Sequence, residues 1–192
     1  MGKFIFLIVG ASGSGKSTIV EQLEKKYNLK SIQSYTTRPK RSENEAGHIF
    51  VTNKEFDKLT DMVAYTEFAG NRYCATTEQV ENNDIYVIDP KGIDFFMKSY
   101  NGRKTPKVIF ISSDMATRYE RMKSRAEENG VTFTEAVNSS LSRITNDVVE
   151  FYDYIHNNAH VDFKITNNDD CDINSVVDKI YEYIRSCEGG DA

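Results

Sequence analysis

The most apolar part of the chain is a run of six residues, Phe4 to Val9, and similar runs recur further along. They are Ile85 to Ile88, ending at Asp89-Pro90, and Val108 to Ile111, ending at Ser112-Ser113. Continuous runs rich in β-branched and aromatic residues are typical of strands buried on both faces of a parallel sheet. Because helical patterns lie between the runs, the sequence predicts repeated βαβ units and an α/β fold.

Two helices with a continuous apolar face are predicted in the C-terminal part of the chain. Spacings of three and four residues place side chains on one face of a helix, so each face is expected to be buried. The first helix, from about Thr134, carries Val137, Leu141, Ile144, Val148 and Phe151, and the second carries Ile173, Val177, Ile180 and Ile184.

A further helix, opening near Asp114, has an apolar stripe and a basic stripe. The apolar stripe, expected in the core, is Met115, Tyr119 and Met122, and the basic stripe is Arg118, Arg121 and Arg125. Like charges one turn apart cost roughly 0.2–0.5 kcal/mol per pair when no anion is near. Either a bound anionic group, such as a phosphoryl group, offsets this cost, or neighbouring glutamates neutralise an ordinary solvated face.

Residues 34–83 differ from the segments on either side. Short strand-like pieces, around Phe50 and from Val63 to Phe68, alternate with polar loops and short helical stretches. At 192 residues the chain is long enough for one core with a modest insertion. We therefore interpret 34–83 as an insertion in a core formed by residues 1–33 and 84–192.

A glycine-rich loop follows the first apolar run and matches the pattern G-x-x-x-x-G-K-[ST]. Its residues are Gly10, Ala11, Ser12, Gly13, Ser14, Gly15, Lys16 and Ser17. Inward-pointing N–H groups and the N-terminus of the following helix favour bound phosphate. Lys16 is expected to contact the β- and γ-phosphates, and the Ser17 hydroxyl to ligate Mg²⁺. With Thr18, this P-loop predicts an ATP site, although regulators, motors and kinases share such loops.

Composition narrows the class of protein. The net charge of −5 argues against non-specific nucleic-acid binding. No apolar run approaches the ~20 residues of a membrane span. Three cysteines without metal-ligand spacing favour reduced thiols. We expect a cytoplasmic monomer or homodimer that binds neither nucleic acid nor membrane.

Beyond the P-loop, an ordered set of motifs continues through most of the chain. They are Ser34-Tyr35-Thr36-Thr37-Arg38-Pro39-Lys40-Arg41, Gly47 to Thr52, Glu55-Phe56, Gly70-Asn71-Arg72-Tyr73, Ile88 to Gly92, Arg121-Met122, Ser124-Arg125 and Arg143-Ile144. The set resembles guanylate kinases, with their TTR-x-x-R signature, G-N-x-Y stretch, D-x-x-G strand end and lid arginines. The resemblance implies a P-loop NTPase three-layer fold with a parallel central sheet, a nucleoside-monophosphate-binding insertion and a small helical lid at about 122–143.

The same resemblance implies ATP-dependent phosphoryl transfer to a nucleoside monophosphate, GMP or dGMP above all. Lys16 would be catalytic together with Arg121, Arg125 and Arg143, which would stabilise transition-state charge. The acceptor-binding residues would be Ser34, Arg38, Arg41, His48, Tyr73 and Asp89. Guanidinium forks suit bidentate binding of phosphate, which independently favours this role for Arg38 and Arg41.

Some assignments keep two alternatives. Asp89 ends a buried strand, where it either binds the base or serves Mg²⁺. Asn167 lies where the family's adenine-side loop carries Asn-Asp, or it belongs to a helix-capping turn. His48 replaces the family's phosphate-binding tyrosine, or that tyrosine has no counterpart. Arg118 is left unassigned.

The base pocket departs from the family pattern. Ala64 stands where guanylate kinases place a glutamate that accepts hydrogen bonds from guanine, with Glu67 three residues later, and Cys74-Ala75 replaces Gly-Ser. Lost partners for a buried base weaken discrimination. The alternatives are therefore a kinase for another nucleotide or ribose 1,5-bisphosphate, and a non-catalytic guanylate-kinase-like binding module, against which the complete P-loop argues.

Overall fold

A computed structural model describes residues 2–40, 43, 45, 47–68, 70–156 and 160–189. The elements in chain order are β1 (Phe4–Val9), α1 (Lys16–Tyr27), β2 (Ser34–Thr36), β3 (His48–Phe50), α2 (Asn53–Phe56), β4 (Met62–Phe68), β5 (Asn71–Thr76), α3 (Thr77–Asn82), β6 (Ile85–Val87), α4 (Pro90–Ser99), β7 (Thr105–Ser112), α5 (Met115–Glu128), α6 (Phe133–Glu150), α7 (Tyr152–His156), β8 (Phe163–Thr166) and α8 (Ile173–Glu188). Among these helices, none is both long and apolar enough to cross a membrane.

The central sheet has the order β6-β1-β7-β8 and is parallel throughout. Alternate residues of β1 enter two separate cores, because successive side chains of a strand point to opposite faces. Ile5 and Leu7 pack on the side that includes Phe96 of α4, whereas Phe6 and Ile8 pack on the side of α1 and α8. The sheet is thus covered on both faces, which confirms the α/β prediction.

A second sheet, with the order β3-β2-β5-β4, is built from residues between α1 and α3. β2 runs parallel to β3 and antiparallel to β5, and β4 and β5 form an antiparallel pair. Ala64 and Ala75 lie opposite each other in that pair. The segment 34–83 therefore has its own sheet beside the central one.

The buried face of α6 differs from the predicted apolar face. Leu141 and Val148 are 51% and 48% exposed, so the prediction that they are buried is wrong. The inward positions are Ala136, Ser140, Ile144, Asp147 and Phe151. Asp147 turns inward because a buried arginine of α5 pairs with it, and this rotates the helix away from its most apolar face.

The two stripes of α5 are also corrected by the structure. Met122 is buried as expected, but Met115 is exposed. Arg118, from the basic stripe, is buried instead, while Arg121 is half-buried and Arg125 is exposed. Of these arginines, Arg118 therefore faces the interior of the protein.

Candidate active site

The P-loop joins β1 to α1 through backbone conformations that favour glycine. Gly13 and Gly15 have φ values of 77° and 91°, in the left-handed region. A Cβ on Gly13 would lie 2.6 Å from the Arg118 carbonyl oxygen, so the loop also runs close to α5. Lys16, the first residue of α1, folds back and donates from Nζ to the carbonyl oxygens of Gly10 (2.5 Å) and Ala11 (3.1 Å).

The charge of Lys16 is held in an unfavourable environment. The pKa of Lys16 is lowered to about 8, by burial above all and also by the nearby arginines, Arg143 foremost. Asp147 opposes this effect and raises the Lys16 pKa. Cations that converge at a buried position favour the binding of an anion there, as a polyphosphate would provide.

A cavity of about 360 Å³ lies over the P-loop. It is lined by Ser12, Gly13, Gly15, Lys16, Ser17, Thr18, Arg121, Met122, Arg125 and Arg143. The arginines that the sequence assigns to catalysis therefore surround the loop that it assigns to ATP. Arg121 donates to the carbonyl oxygens of Gly13 (3.4 Å) and Asn167 (3.0 Å) and pairs with Asp169.

Asn167 supports the P-loop from behind. Its side chain is buried, and Nδ2 donates to the carbonyl oxygen of Ser14 at 2.8 Å. The residue that caps α8 is Asp172, so the helix-capping interpretation of Asn167 is wrong. The contact between Asn167 and adenine stays a prediction.

A larger cavity, about 810 Å³, is lined by residues of the P-loop, the second sheet, the end of β6 and α6. It brings together most of the residues predicted to bind the acceptor, namely Ser34, His48, Tyr73 and Asp89, and its wall includes Ala64, Thr66, Glu67, Tyr86 and Glu150. Ser34 Oγ lies 2.9 Å from His48 Nδ1, and the His48 and Tyr73 rings meet edge to face. Cys74 and Ala75 are fully buried and do not line this cavity.

Arg38 forms an ion pair at the edge of the second sheet. Its guanidinium donates to both carboxylate oxygens of Glu45, at 2.6 and 3.2 Å, and this pairing raises the Arg38 pKa. The side chain is thus oriented for a bidentate anion, but it is absent from the lining of the larger cavity. Arg41, the other predicted phosphate-binding arginine, lies outside the described residues.

Asp89 is fixed by contacts on both carboxylate oxygens. Oδ1 caps α4 by accepting from Gly92 N at 2.7 Å, and Oδ2 accepts from Thr66 Oγ1 at 3.0 Å. Each oxygen keeps a further lone pair that can accept from a ligand. Asp89 is one of the residues that line the larger cavity.

Four residues of the site were not predicted from the sequence. Thr66 orients Asp89, and Tyr86 is buried beside it, with its pKa raised by burial above all and then by Asp89. Burial, and then the charges of Asp89 and Asp147, also raises the pKa of Glu150. Asp147 contacts the P-loop itself. Of these four, only Asp147 and Glu150 could have been suspected from the sequence, because they are acidic residues that follow Arg143 in the same predicted helix.

Comparison with known proteins places these features in one family. The guanylate kinase family model matches residues 3–171. The guanylate kinase of Neisseria gonorrhoeae is 30% identical over 178 residues, which cover 86% of this chain and 80% of that protein. The guanylate kinase of Bartonella henselae is 29% identical over 176 residues, covering 85% of this chain and 77% of that protein.

The fold agrees with a solved structure. This chain matches a crystal structure of guanylate kinase from Anaplasma phagocytophilum with a TM-score of 0.60 and 21% sequence identity. The match covers 97% of this chain and 87% of that one. That likeness confirms the predicted P-loop NTPase fold with a parallel central sheet. By its family match and its relatives, this chain belongs to the guanylate kinase family.

Proposed function

We propose that the protein transfers the γ-phosphoryl group of ATP to a nucleoside monophosphate, and that GMP and dGMP are the preferred acceptors. The observation that carries the proposal is that both cavities share Ser12, Lys16 and Arg143. A donor phosphate on the P-loop and an acceptor in the larger cavity would meet at these residues. Family membership favours this function over the ribose bisphosphate and non-catalytic alternatives.

The chain's residues would act by positioning and charge stabilisation. Lys16 would exchange its bonds with the loop carbonyls for the β- and γ-phosphates, as P-loop lysines do. Arg121, Arg125 and Arg143 would stabilise the charge that develops on the phosphoryl group in transit. The acceptor's phosphate, with a second pKa of about 6, is already ionised at neutral pH, so its attacking oxygen needs no general base.

The P-loop suits Mg²⁺. Mg²⁺ usually takes one or two protein ligands and completes its shell with phosphate oxygens and water. Ser17 lines the smaller cavity next to Lys16, where its hydroxyl would be one such ligand. Ser17 would therefore hold Mg²⁺ together with the nucleotide. The ion would neutralise charge on the β- and γ-phosphates.

We also assign the acceptor to the unit formed by residues 34–83 and the lid to about 122–143, on a core of 1–33 and 84–192. Ser34, His48 and Tyr73 belong to β2, β3 and β5, so one small sheet would hold the acceptor. In this arrangement Asp89 would bind the base. Arg38 would exchange Glu45 for the acceptor's phosphate, as a bidentate guanidinium can.

The test is a coupled assay of ADP release with GMP, dGMP, AMP, CMP, UMP, IMP and ribose 1,5-bisphosphate as acceptors. GMP or dGMP is expected to give the highest kcat/KM. A higher value for ribose 1,5-bisphosphate would overturn the acceptor assignment. ADP release with none of the acceptors would show that the chain is a binding module.

Ala64 provides a prediction about base selectivity. Ala64 lines the larger cavity but is buried in the core, so Ala64→Glu must extend its carboxylate into the cavity, where it can accept from guanine N1–H and N2–H₂, and its melting temperature is measured beside its kinetics. A hydrogen bond to a charged group contributes about 1.5–3 kcal/mol, so the preference for GMP over AMP should rise by about 10- to 150-fold. The measurement is kcat/KM for both nucleotides.

The control for this variant is Ala116→Glu, which adds the same charge on an exposed turn of α5, away from the cavity. Its GMP preference should match the wild type. Since Ala75 does not line the cavity, Ala75→Ser should add little. An unchanged GMP preference in Ala64→Glu would show that residue 64 does not face the base.

A further inference from the structure

A buried ion pair connects α5 and α6 to the P-loop. Arg118 and Asp147 lie 2.5 Å apart between Nη2 and Oδ2, and their side chains are 7% and 8% exposed. Both residues contact Ser12. The Ser12 N–H donates to Asp147 Oδ2 at 2.9 Å and its hydroxyl to Oδ1 at 3.2 Å, while its carbonyl oxygen accepts from Arg118 Nε at 2.8 Å.

Packing alone does not account for this pair. Apolar residues of similar volume often replace a buried ion pair without loss of stability, because the charges lose their hydration. Apolar side chains, however, cannot bond to the N–H, hydroxyl and carbonyl groups of one loop residue. The pair therefore fixes Ser12 relative to both helices in a way that an apolar contact would not.

The same helices carry the arginines assigned to the phosphoryl group. Arg121 follows Arg118 by three residues on α5, and Arg143 precedes Asp147 by four on α6. Residues three or four apart are neighbours on a helix surface. Each anchor to Ser12 thus lies one turn from an arginine that lines the cavity over the P-loop.

We propose that Arg118 and Asp147 are positioning residues, which hold Ser12 and so set the distance of Arg121 and Arg143 from the phosphates on the P-loop. The inference rests on the proposed phosphoryl transfer. Asp147 also lines the larger cavity, so the KM for GMP is measured beside that for ATP, but the role proposed here acts through Ser12. A displacement of about 1 Å at reacting groups can cost about 100-fold in rate, so the pair would act on kcat.

The test is the double variant Arg118→Met/Asp147→Ala, which removes both charges together. Its melting temperature should stay within about 5 °C of the wild type, since neither charge is left buried without its partner. We expect kcat with GMP to fall by about 10- to 100-fold and the KM for ATP to change by less than about threefold. The control is Lys107→Met on β7, which removes the partly exposed ion pair with Asp162, outside the lining of both cavities, and should keep wild-type kcat.

Wild-type kcat in a folded double variant would overturn the proposal, because the pair would then be structural only. If the double variant does not fold, Arg118→Lys decides, since it keeps a positive charge beside Asp147 and loses the Nε donor to the Ser12 carbonyl oxygen. A tenfold lower kcat at unchanged ATP KM supports positioning, and an unchanged kcat overturns it.

If the wild type phosphorylates none of the monophosphates, the proposed function fails, and the Ser12 amide then tests the pair separately. Amide hydrogen exchange at Ser12, followed by NMR in the absence of nucleotide, should be slow in the wild type and at least about tenfold faster in the double variant if the pair holds the loop. Equal exchange rates would overturn the inference.

Discussion

Replacing Lys16 by alanine is expected to lower kcat by about 100- to 1,000-fold, the usual cost of removing one group that stabilises transition-state charge. Lys16 lies where the two cavities meet, and its Nζ contacts backbone carbonyls that phosphate oxygens can replace. The positive φ values of Gly13 and Gly15 shape the loop around it.

The same variant should not lose stability. Burial lowers the Lys16 pKa to about 8, so at neutral pH its protonated form is less favoured in the folded than in the unfolded chain. Removing the lysine relieves that cost, so the melting temperature should stay the same or rise. Turnover and thermal unfolding, measured on the same preparation, test both expectations. Activity near that of the wild type would contradict the assignment of the P-loop to ATP.

The sequence predicts best those elements whose structure depends only on residues that are close together along the chain. β1 has the predicted bounds, Phe4–Val9, because a strand covered on both faces needs an uninterrupted apolar run. The P-loop was predicted because its glycines, its lysine and its position between strand and helix are all needed at fixed spacing. β6 and β7 were located correctly but differ at their ends from the predicted runs.

The errors arose where a distant residue decides the local structure. The buried face of α6 depends on Asp147, whose inward orientation is satisfied by Arg118, 29 residues away. A prediction from hydrophobic spacing places an aspartate on the exposed face of a helix. No pattern in the neighbouring sequence shows that a distant arginine pairs with it. The same holds for Thr66, whose contact with Asp89 joins the two sheets across 23 residues.

The second sheet was predicted only in outline for a similar reason. β2 and β3 are three residues each, too short for a clear alternating pattern, and they pair in parallel across a polar loop. Arg38 and Glu45, which form an ion pair, both belong to the segment between β2 and β3. The acceptor-binding residues were therefore predicted from the resemblance of their motifs to the family. Their contacts became known only from the structure.

Arg143→Ala and Arg38→Ala are expected to affect different steps. Arg143 lines both cavities and would meet the phosphoryl group only as it moves between them, so its loss should lower kcat by about 100-fold or more. The KM for GMP should change by less than about threefold, because KM reports interactions that the bound substrate already makes.

Arg38→Ala should show the opposite pattern, with the KM for GMP raised about tenfold or more and kcat little changed. Arg38 lies outside the lining of both cavities, and its guanidinium, released from Glu45, would bind the acceptor's phosphate before and during transfer alike. Such uniform binding lowers KM without raising kcat. Arg185→Ala, an exposed change on α8, serves as the control and should match the wild type.

For Arg143→Ala, the contradicting outcome is a rise in the KM for ATP with unchanged kcat. Arg143 would then bind the nucleotide, and its position in the lining of both cavities would have no role in transfer.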